Sequence, residues 1–426
     1  MADRMLEVWC FDEHAGTLGD GDGGLEFAYD PRWRSAGRPP LSQSLPLDGS
    51  FAGDAVDAFF GGLLPEGAPR ELVARNVGVS AGNDFALLAA IGGDTAGAVS
   101  LLPAGELPGP VGEDVEWLDD AQLAALLDEL PARPLHADAD GEYRLSLAGA
   151  QDKLPVVVGG DGRVGLTAGR TPSTHILKTP IAHLEATVAN EALCPAIGGL
   201  LGVDVVRASP RRVLEREFLL VERDDRERDD RGVRRRHQED FCQALGIPPR
   251  RKYQSEGGPG LVDCFALVRR AVSVPAREVL ALLDDVMLSF LVGNHDAHGK
   301  NYSLLYLPDS PRAVLSPAYD VISTVVYPGL SRKMAMSIGG EYRPDYVQPR
   351  HLERLLDVAG LGPAAARRRI RALAAAAPAA AREAHVQLAG EGWDAPVLAR
   401  VVKTVERRAA RLLEIAAPAS RGVRAS

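Results

Sequence analysis

The amino-acid sequence predicts a two-lobed α+β fold, in which a strand-rich half precedes a helical half. Stretches that alternate apolar and polar residues recur up to residue 221, whereas helical spacing dominates from residue 279 onward, apart from one hairpin. The chain has 426 residues, which is more than a single compact core usually holds. We therefore expect two or more lobes.

The first 105 residues predict a small α+β subdomain. A glycine- and aspartate-rich turn at 19–24 joins its strands, and Asn83 or Asp84 caps its third helix. A linker rich in proline and glycine at 103–110 closes the subdomain. We expect strands at 6–10 and 25–29 and helices at 55–63, 70–77 and 84–91.

We expect residues 106–275 to complete the strand-rich lobe and residues 276–426 to form the helical lobe. The tail at 364–417 has helical spacing, and its clustered arginines are typical either of a nucleic-acid patch or of a solvated helix face. These arginines are Arg367, Arg368, Arg369 and Arg371. Between residues 106 and 275 we expect helices at 119–130 and 184–201 and strands at 154–158, 175–178, 212–214 and 218–221.

Composition excludes some classes of function. The formal net charge of −10 argues against a free-standing nucleic-acid binder, because neutralising phosphates needs a basic surface. Any DNA contact would come through a basic partner. No apolar run is long enough to cross a bilayer and no secretory signal is apparent, so we expect a cytoplasmic protein. Scattered cysteines predict buried, reduced thiols: Cys10, Cys194, Cys242 and Cys264.

The spacing of three polar residues predicts a site for phosphoryl transfer. Asp296 and Asn301 are five residues apart, and Asp320 follows a hairpin predicted at 302–315 with its turn at 308–311. Protein kinases place a proton-accepting Asp and a metal-binding Asn at this separation, and take a second metal carboxylate from the end of the next hairpin. Asp296 would accept the proton of the substrate hydroxyl, while Asn301 and Asp320 would hold Mg²⁺.

Weaker candidates precede this loop in the chain. Small residues at 146–153 suit a phosphate-cradling loop, although tight turns between strands have the same composition. Lys178 ends an apolar strand and could reach phosphates, or it could lie in solvent. Glu191, on the following helix, could hold that lysine or lie on the surface. The charged stretch at 221–226 could bind an adenine edge through its backbone or be a solvated loop.

Two roles are open for His298, which falls where many kinases have a lysine beside the transferred group. It could stabilise charge, or it could brace the loop. The order of these motifs along the chain is stronger evidence for a kinase than any single motif. A phosphate loop, a lysine, a helix glutamate, a crossover, an Asp/Asn loop and a metal Asp in that order are unlikely to arise by chance.

The sequence resembles the HipA-type serine/threonine kinases, which are toxins of bacterial toxin–antitoxin pairs. The resemblance covers nearly the whole chain, and its motifs are long and specific. They lie at 41–47, 62–67, 94–99, 146–153, 174–180, 237–240, 293–301, 319–321 and 333–340.

The resemblance implies a two-lobed, protein-kinase-like (HipA-like) fold with an extra N-terminal α/β subdomain and a helical C-terminal lobe. It implies that Asp296 is catalytic, with His298 beside it, and that Asn301 and Asp320 bind Mg²⁺. Autophosphorylation of Ser146 would switch the enzyme off. Contacts with ATP are implied for Ser146, Ala148, Gly149, Ala150, Gln151, Lys153, Lys178, Glu222 and Asp224.

The resemblance also implies partners. One is a small helix-turn-helix antitoxin (HipB-like), which would bind operator DNA and so give this acidic chain an indirect contact with DNA. The other is a protein substrate. Known targets in the family include an aminoacyl-tRNA synthetase, whose phosphorylation stalls translation and growth.

The sequence departs from the family pattern at three places. Asp224 stands where an aromatic residue usually follows Glu-Arg in the hinge, so we expect weaker or altered ATP binding. His295 replaces a more usual threonine, and we expect this change to be tolerated. The insertion at 223–236 is highly charged, and we expect it to be disordered.

Two other functions compete with the kinase. Residues 293–296 equal a metallophosphoesterase motif, for which Asp12 and His14 would supply further ligands, but such two-metal sites need more His and Asp ligands. The other is a co-repressor that acts with its DNA-binding antitoxin and has lost kinase activity. Among the site residues, Asp224 alone favours this second alternative.

Overall fold

The computed structural model describes residues 5–21, 23–108, 115–137, 144–149, 151–167, 171–229, 232–306 and 312–417. Within these ranges, an N-terminal subdomain forms around a five-stranded antiparallel sheet in the order β4-β3-β2-β1-β5. A π-helical turn, Asp57–Gly61, follows its second helix. Its elements are β1 (Met5–Cys10), β2 (Glu13–Gly21), β3 (Gly24–Tyr29), α1 (Pro31–Ser35), β4 (Ser50–Ala52), α2 (Asp54–Val56), α3 (Gly67–Asn76), α4 (Asp84–Ile91) and β5 (Val99–Pro103).

The chain reverses within the expected turn at 19–24, between Gly21 and Gly24, but the sequence pattern missed strand β2 (Glu13–Gly21), which lies before it. Because the glycines of β2 have low strand propensity, the sequence pattern did not predict this strand. Gly16 is there for a steric reason, since a Cβ atom at this position would lie 2.2 Å from the carbonyl oxygen of Ala28 on β3. The cap of α4 is Asn83, whose side chain accepts a hydrogen bond from the backbone N–H of Ala86 at 2.9 Å.

The second sheet is antiparallel, has six strands and follows the order β10-β11-β9-β7-β8-β6. The sequence pattern found its central strands but missed β6 and β8, which are only three and four residues long. The elements of this region are β6 (Val115–Trp117), α5 (Asp120–Glu129), β7 (Lys153–Val158), β8 (Val164–Thr167), β9 (His175–Lys178), α6 (Thr187–Leu200), β10 (Ala208–Val213) and β11 (Arg216–Glu222).

The rest of the chain contains a two-stranded hairpin, a three-stranded sheet in the order β14-β15-β16, and six helices among the described residues. The predicted hairpin at 302–315 is confirmed, although its turn at 308–311 falls outside the described residues. The elements are β12 (Arg226–Asp229), β13 (Gly232–Arg235), β14 (His237–Asp240), α7 (Phe241–Leu245), α8 (Leu261–Ala271), α9 (Pro275–Val292), β15 (Ser303–Tyr306), β16 (Ala313–Leu315), α10 (Pro349–Ala359), α11 (Pro363–Gly390) and α12 (Pro396–Ile415).

Helix α6 joins the two halves of the molecule. Its buried side chains, among them Leu193 and Ile197, belong to the same apolar core as helices α8 to α12. The same core takes in Leu219 and Val221 of β11, the strand between β10 and β9 in the six-stranded sheet. The division of the lobes at residues 275 and 276 stays a prediction.

The tail forms two helices, α11 and α12, and its arginines mostly bind the chain itself. Arg369 makes a bidentate pair with Asp284 of α9, at 2.7 and 2.9 Å. Arg371 donates to the carbonyl of Leu413 at 3.1 Å.

The predicted buried, unpaired cysteines are confirmed. Within the described ranges, no helix combines the length and apolar character that a membrane span needs.

The expected disorder of 223–236 is wrong for its described residues, 223–229 and 232–236. Their charges meet a buried carboxylate of the N-terminal subdomain, Asp94, which is 2% exposed. Asp94 pairs with Arg226 at 3.1 Å and with Arg235, and Arg223 pairs with Asp225 at 2.6 Å. The arginines around Asp94 hold its pKa well below the ordinary value, against the effect of burial. The charge run is therefore an internal ion-pair network.

We expect Asp94→Asn to lower the free energy of unfolding by about 3–5 kcal/mol, because it leaves buried guanidinium groups without their carboxylate. Chemical denaturation followed by circular dichroism measures this loss. The control is Asp161→Asn, which removes an exposed carboxylate paired with Arg163 and should change stability little. Equal effects of the two substitutions would contradict the structural role of Asp94.

Candidate active site

A cleft of about 400 Å³ lies between the six-stranded sheet and the helical half. This volume is within the range of small-molecule sites. Most of the residues predicted from the sequence line the cleft. Ser146 does not, and Ala150 lies outside the described residues. The predicted residues on the cleft wall are Ala148, Gly149, Gln151, Lys153, Lys178, Glu222, Asp224, Asp296, His298, Asn301 and Asp320.

Lys178, at the end of β9, is buried rather than solvated. Its Nζ atom lies 2.5 Å from Oε1 of Glu191 on α6 and 2.5 Å from Oδ1 of Asp320. Burial would lower the pKa of Lys178, but Asp320 and Glu191 outweigh it and raise that pKa, so the lysine stays charged. The surface alternative for Glu191 is excluded, since its side chain is 6% exposed and faces inward.

Lys153 adds a second, partly buried cation to the same wall, since it stands opposite Lys178 in the pairing of β7 with β9. Burial, with the charge of Lys178 acting in the same direction, lowers the pKa of Lys153 to about 8. Its Nζ donates to the carbonyl of Ala148 in the predicted phosphate loop. Two adjacent cations on one wall of the cleft suit a bound polyphosphate.

The loop before β7 approaches Lys153 closely through a glycine. Gly149 has a φ of +116°, and a Cβ atom there would lie 2.5 Å from the Nζ of Lys153. The positive φ favours glycine at this position. A backbone that can come so near the lysine can also come near an anion that the lysine binds.

Ser146 is fully buried and points away from the cleft. Its Oγ donates to the carbonyl of Leu63 at 2.7 Å, and its N–H donates to the carbonyl of Asp94 at 2.8 Å. Both acceptors belong to the N-terminal subdomain. Any kinase can reach the Ser146 hydroxyl only after the loop leaves this position.

The predicted catalytic loop, residues 293–301, follows α9 and has Asp296 at the cleft surface. Burial raises the pKa of the Asp296 carboxyl, and the negative charge of Asp320 adds to this rise. Asn301 lies on a 3-10 turn, and its Nδ2 donates to the backbone carbonyl of Asp296 at 3.3 Å. This bond leaves the Oδ1 atom of Asn301 as a candidate metal ligand.

Asp320, the second predicted oxygen ligand, has a strained backbone. Its φ of +54° lies in the left-handed region, which non-glycine residues adopt rarely and mostly at functional sites. The Nδ2 of Asn294 donates to the backbone carbonyl of Asp320 at 3.2 Å and helps to hold it. Burial would raise the pKa of Asp320, but Lys178 and Lys153 lower it, so the carboxylate is ionised. Carboxylate and amide oxygens fit Mg²⁺.

His298 is buried and uncharged. Burial and the nearby Lys252 lower its pKa to about 3. Its ring packs edge-on against the ring of Tyr253, with 5.1 Å between the centroids. These contacts favour the bracing role over the charge-stabilising one.

His295 links the catalytic loop to the last helix. Its Nδ1 lies 3.0 Å from the carbonyl oxygen of Ser331, so Nδ1 carries the hydrogen and Nε2 accepts from Arg408 of α12 at 2.9 Å. Burial lowers the pKa of His295 to about 4, which keeps this neutral arrangement. A threonine could not span these two partners.

Sequence reasoning missed a group of charged residues that connects the N-terminal subdomain to the catalytic loop. Glu66 pairs with Lys252 at 2.7 Å, and its backbone N–H donates to the carbonyl of Gly149 at 3.0 Å. Lys300 of the catalytic loop pairs with Asp240 at 2.8 Å and lies 3.8 Å from Glu66. The only signal for Glu66 was its place in the motif at 62–67.

The hinge wall of the cleft carries Glu222 and Asp224. Burial, together with the charge of Asp225, raises the pKa of Asp224 to about 7. Its Oδ2 atom is buried and has no hydrogen-bond partner among the described residues.

The phosphoesterase alternative gains no support from the structure, because Asp12 and His14 do not line the cleft and His14 binds Glu7 and Asp30 instead.

Comparison with known proteins identifies the family. Residues 6–102 match the HipA N-terminal domain family, and residues 145–381 match the HipA-like C-terminal domain family. The chain belongs to the HipA family. It is a kinase, and its two-lobed, kinase-like α+β fold is confirmed.

Three relatives illustrate the likeness. A Sinorhizobium fredii protein described provisionally as the kinase Y4mE is 46% identical over 87% of this chain and 89% of its own length. The Shewanella oneidensis serine/threonine-protein kinase toxin HipA is 31% identical over 85% of this chain and 82% of its own. A solved complex of Shewanella oneidensis HipA with HipB and operator DNA has a TM-score of 0.81 and 28% identity, and covers 95% of this chain and 97% of that one.

We expect Glu66→Gln to destabilise this HipA-family protein by about 1.5–3 kcal/mol, because it removes a partly buried charged partner of Lys252. Urea denaturation measures the change. Glu13→Gln, which breaks an exposed pair with Arg38, is the control and should have a much smaller effect. A loss no greater than that of the control would contradict the bridging role of Glu66.

Proposed function

We propose that this protein is a Mg-ATP-dependent serine/threonine kinase that acts as the toxin of a toxin–antitoxin pair. It would phosphorylate a cellular protein and so arrest growth. The observation that carries the proposal is the position of Lys178, bound to both Glu191 and Asp320 in a cleft that Asp296 and Asn301 also line. Active kinases need such a Lys–Glu pair beside the metal-binding Asp.

The residues of the cleft fit ATP and Mg²⁺. Lys153 and Lys178 would bind the phosphates beside the open backbone at Gly149, and Asn301 with Asp320 would hold the metal. When bound, Mg-ATP supplies the transferable phosphoryl group and neutralises its charge. Asp296 would orient the acceptor hydroxyl and take its proton.

The remaining cleft residues have supporting roles in the proposal. The backbone around Glu222 and Asp224 would meet the adenine. Ala148, Ala150 and Gln151 would complete the phosphate loop, and Ser146 would be its autophosphorylation site. His298 would brace the catalytic loop through its contact with Tyr253.

The proposed partners follow from the family. The relative solved with HipB and operator DNA supports a helix-turn-helix antitoxin as the partner of this chain, which would contact operator DNA through it. The net charge of −10 supports this indirect route. We place the protein in the cytoplasm, and an aminoacyl-tRNA synthetase is a candidate target.

A second candidate function is a co-repressor with impaired ATP binding. The observation in its favour is Asp224, a buried carboxyl on the cleft wall where the family usually has an aromatic side chain. Such a protein would act mainly through its DNA-bound antitoxin. ATP affinity separates the two functions.

Incubation of the protein with Mg²⁺ and radiolabelled ATP should transfer label to Ser146, and Asp296→Ala should abolish that transfer because it removes the proton acceptor. Mass spectrometry locates the label. Asp345→Ala, a surface substitution outside the cleft, is the control and should label normally. Absence of labelling in the intact protein would contradict the proposed autophosphorylation of Ser146.

Replacing Asp224 by phenylalanine should tighten ATP binding roughly tenfold, because it removes a buried carboxyl and restores an apolar surface for adenine. Isothermal titration calorimetry with ATP and Mg²⁺ measures the dissociation constant. Wild-type protein that binds ATP no better than an Asp320→Ala variant would favour the co-repressor.

A further inference from the structure

The carboxylate of Asp296 has a partner, Tyr253, that lies outside the sequence motifs named above. The hydroxyl of Tyr253 donates to Oδ1 of Asp296 at 2.8 Å. In the described part of the chain, no donor is assigned to the other carboxylate oxygen, Oδ2. One oxygen of Asp296 is thus held, and the other is left to accept a proton.

Tyr253 is itself held firmly by its own segment, residues 248–260. Its carbonyl accepts from the backbone N–H groups of Glu256 and Gly258, both at 2.9 Å. A side chain at Gly258 would collide with the Arg251 carbonyl, since a Cβ atom there would lie 2.2 Å from that oxygen. The neighbouring Gln254 accepts from the backbone N–H of Ser337 in the helical half at 2.8 Å. Because its segment is anchored in this way, the Tyr253 side chain can hold the Asp296 carboxylate in place.

The surroundings keep the tyrosine protonated and oriented. Burial, reinforced by the negative charge of Asp296, raises the pKa of the Tyr253 hydroxyl well above its usual range. The ring packs against His298 with an interplanar angle of 86°. Lys252, the preceding residue, is tied to Glu66 at 2.7 Å. Tyr253 therefore remains a hydrogen-bond donor aimed at one oxygen.

We propose that Tyr253 is a positioning residue for phosphoryl transfer: its hydroxyl fixes the Asp296 side chain so that Oδ2 meets the acceptor hydroxyl. The inference rests on the proposed function, in which Asp296 is the proton acceptor. In the step, the acceptor O–H bond breaks and its proton passes to Oδ2. The acceptor oxygen forms a bond to the terminal phosphorus of ATP, ADP leaves, and Tyr253 keeps its own proton.

The opposite role is a gate, in which the Tyr253 hydroxyl occupies the place of the acceptor and slows the reaction until it is displaced. A gate predicts faster phosphorylation when the hydroxyl is removed. Positioning predicts slower phosphorylation. The two roles therefore differ in the sign of one measurement.

The test is Tyr253→Phe, which keeps the ring contact with His298 and removes only the hydroxyl. We expect the self-phosphorylation rate at saturating Mg-ATP to fall about tenfold, with an unchanged half-saturating ATP concentration and an unchanged melting temperature. Tyr346→Phe makes the same chemical change at an exposed ring that stacks on Arg343, and should leave the rate as it is.

An unchanged or faster self-phosphorylation rate for Tyr253→Phe would overturn the inference. A slower rate together with a lowered melting temperature would also overturn it, because the loss of activity would then follow from the loss of stability. Inactive wild-type protein would instead refute the proposed function. In that case a crystal structure of Tyr253→Phe still decides the positioning role. A displaced Asp296 carboxylate supports it, and an unmoved carboxylate overturns it.

Discussion

One buried lysine organises the cleft. Lys178 ends a strand of the six-stranded sheet, Glu191 lies on α6, and Asp320 follows the hairpin of the helical half, yet all three side chains meet within 2.5 Å contacts. A buried ammonium group without carboxylate partners would be very costly. The charge of Lys178 therefore fixes the position of two other parts of the chain. The cleft depends on this arrangement, because its walls come from the elements that the lysine ties together.

Buried polar contacts also fix the N-terminal subdomain against the rest of the molecule. Asp94 is buried among arginines from the hinge region, and Ser42 Oγ donates at 2.5 Å to Glu239 of β14, which is also buried. Burial raises the pKa of Glu239 to about 7 despite the donors around it. Paired polar groups of this kind do not add much net stability, but they fix how two surfaces fit together. The subdomain is thus held in one register against the kinase part.

Local signals made some features predictable from the sequence. The hairpin with its flanking Asp296, Asn301 and Asp320 depends on spacings within a short stretch, and the cap of α4 depends on one asparagine. The roles of the cleft residues stay predictions. They came from the spacing of Asp296, Asn301 and Asp320, from the order of the motifs and from the family resemblance.

Other features depend on partners far away in the chain, which a local pattern cannot reveal. Arg226 meets Asp94 across 132 residues, so a run of charge that looks solvated is in fact internal. Tyr253 meets Asp296 across 43 residues, and Lys252 meets Glu66 across 186. Strand β2 was hidden for a different reason, since Gly16 is required by the close approach of β3 and not by a turn.

The placement of Glu66 has a consequence for how such proteins can be shortened or recombined. This residue precedes the kinase part in the chain, yet it contacts the phosphate loop through Gly149 and the segment before α8 through Lys252. A fragment that begins after residue 105 would lack Gly62, Glu66 and Ala96, which line the cleft. A complete cleft therefore requires the N-terminal subdomain as well as the kinase lobes.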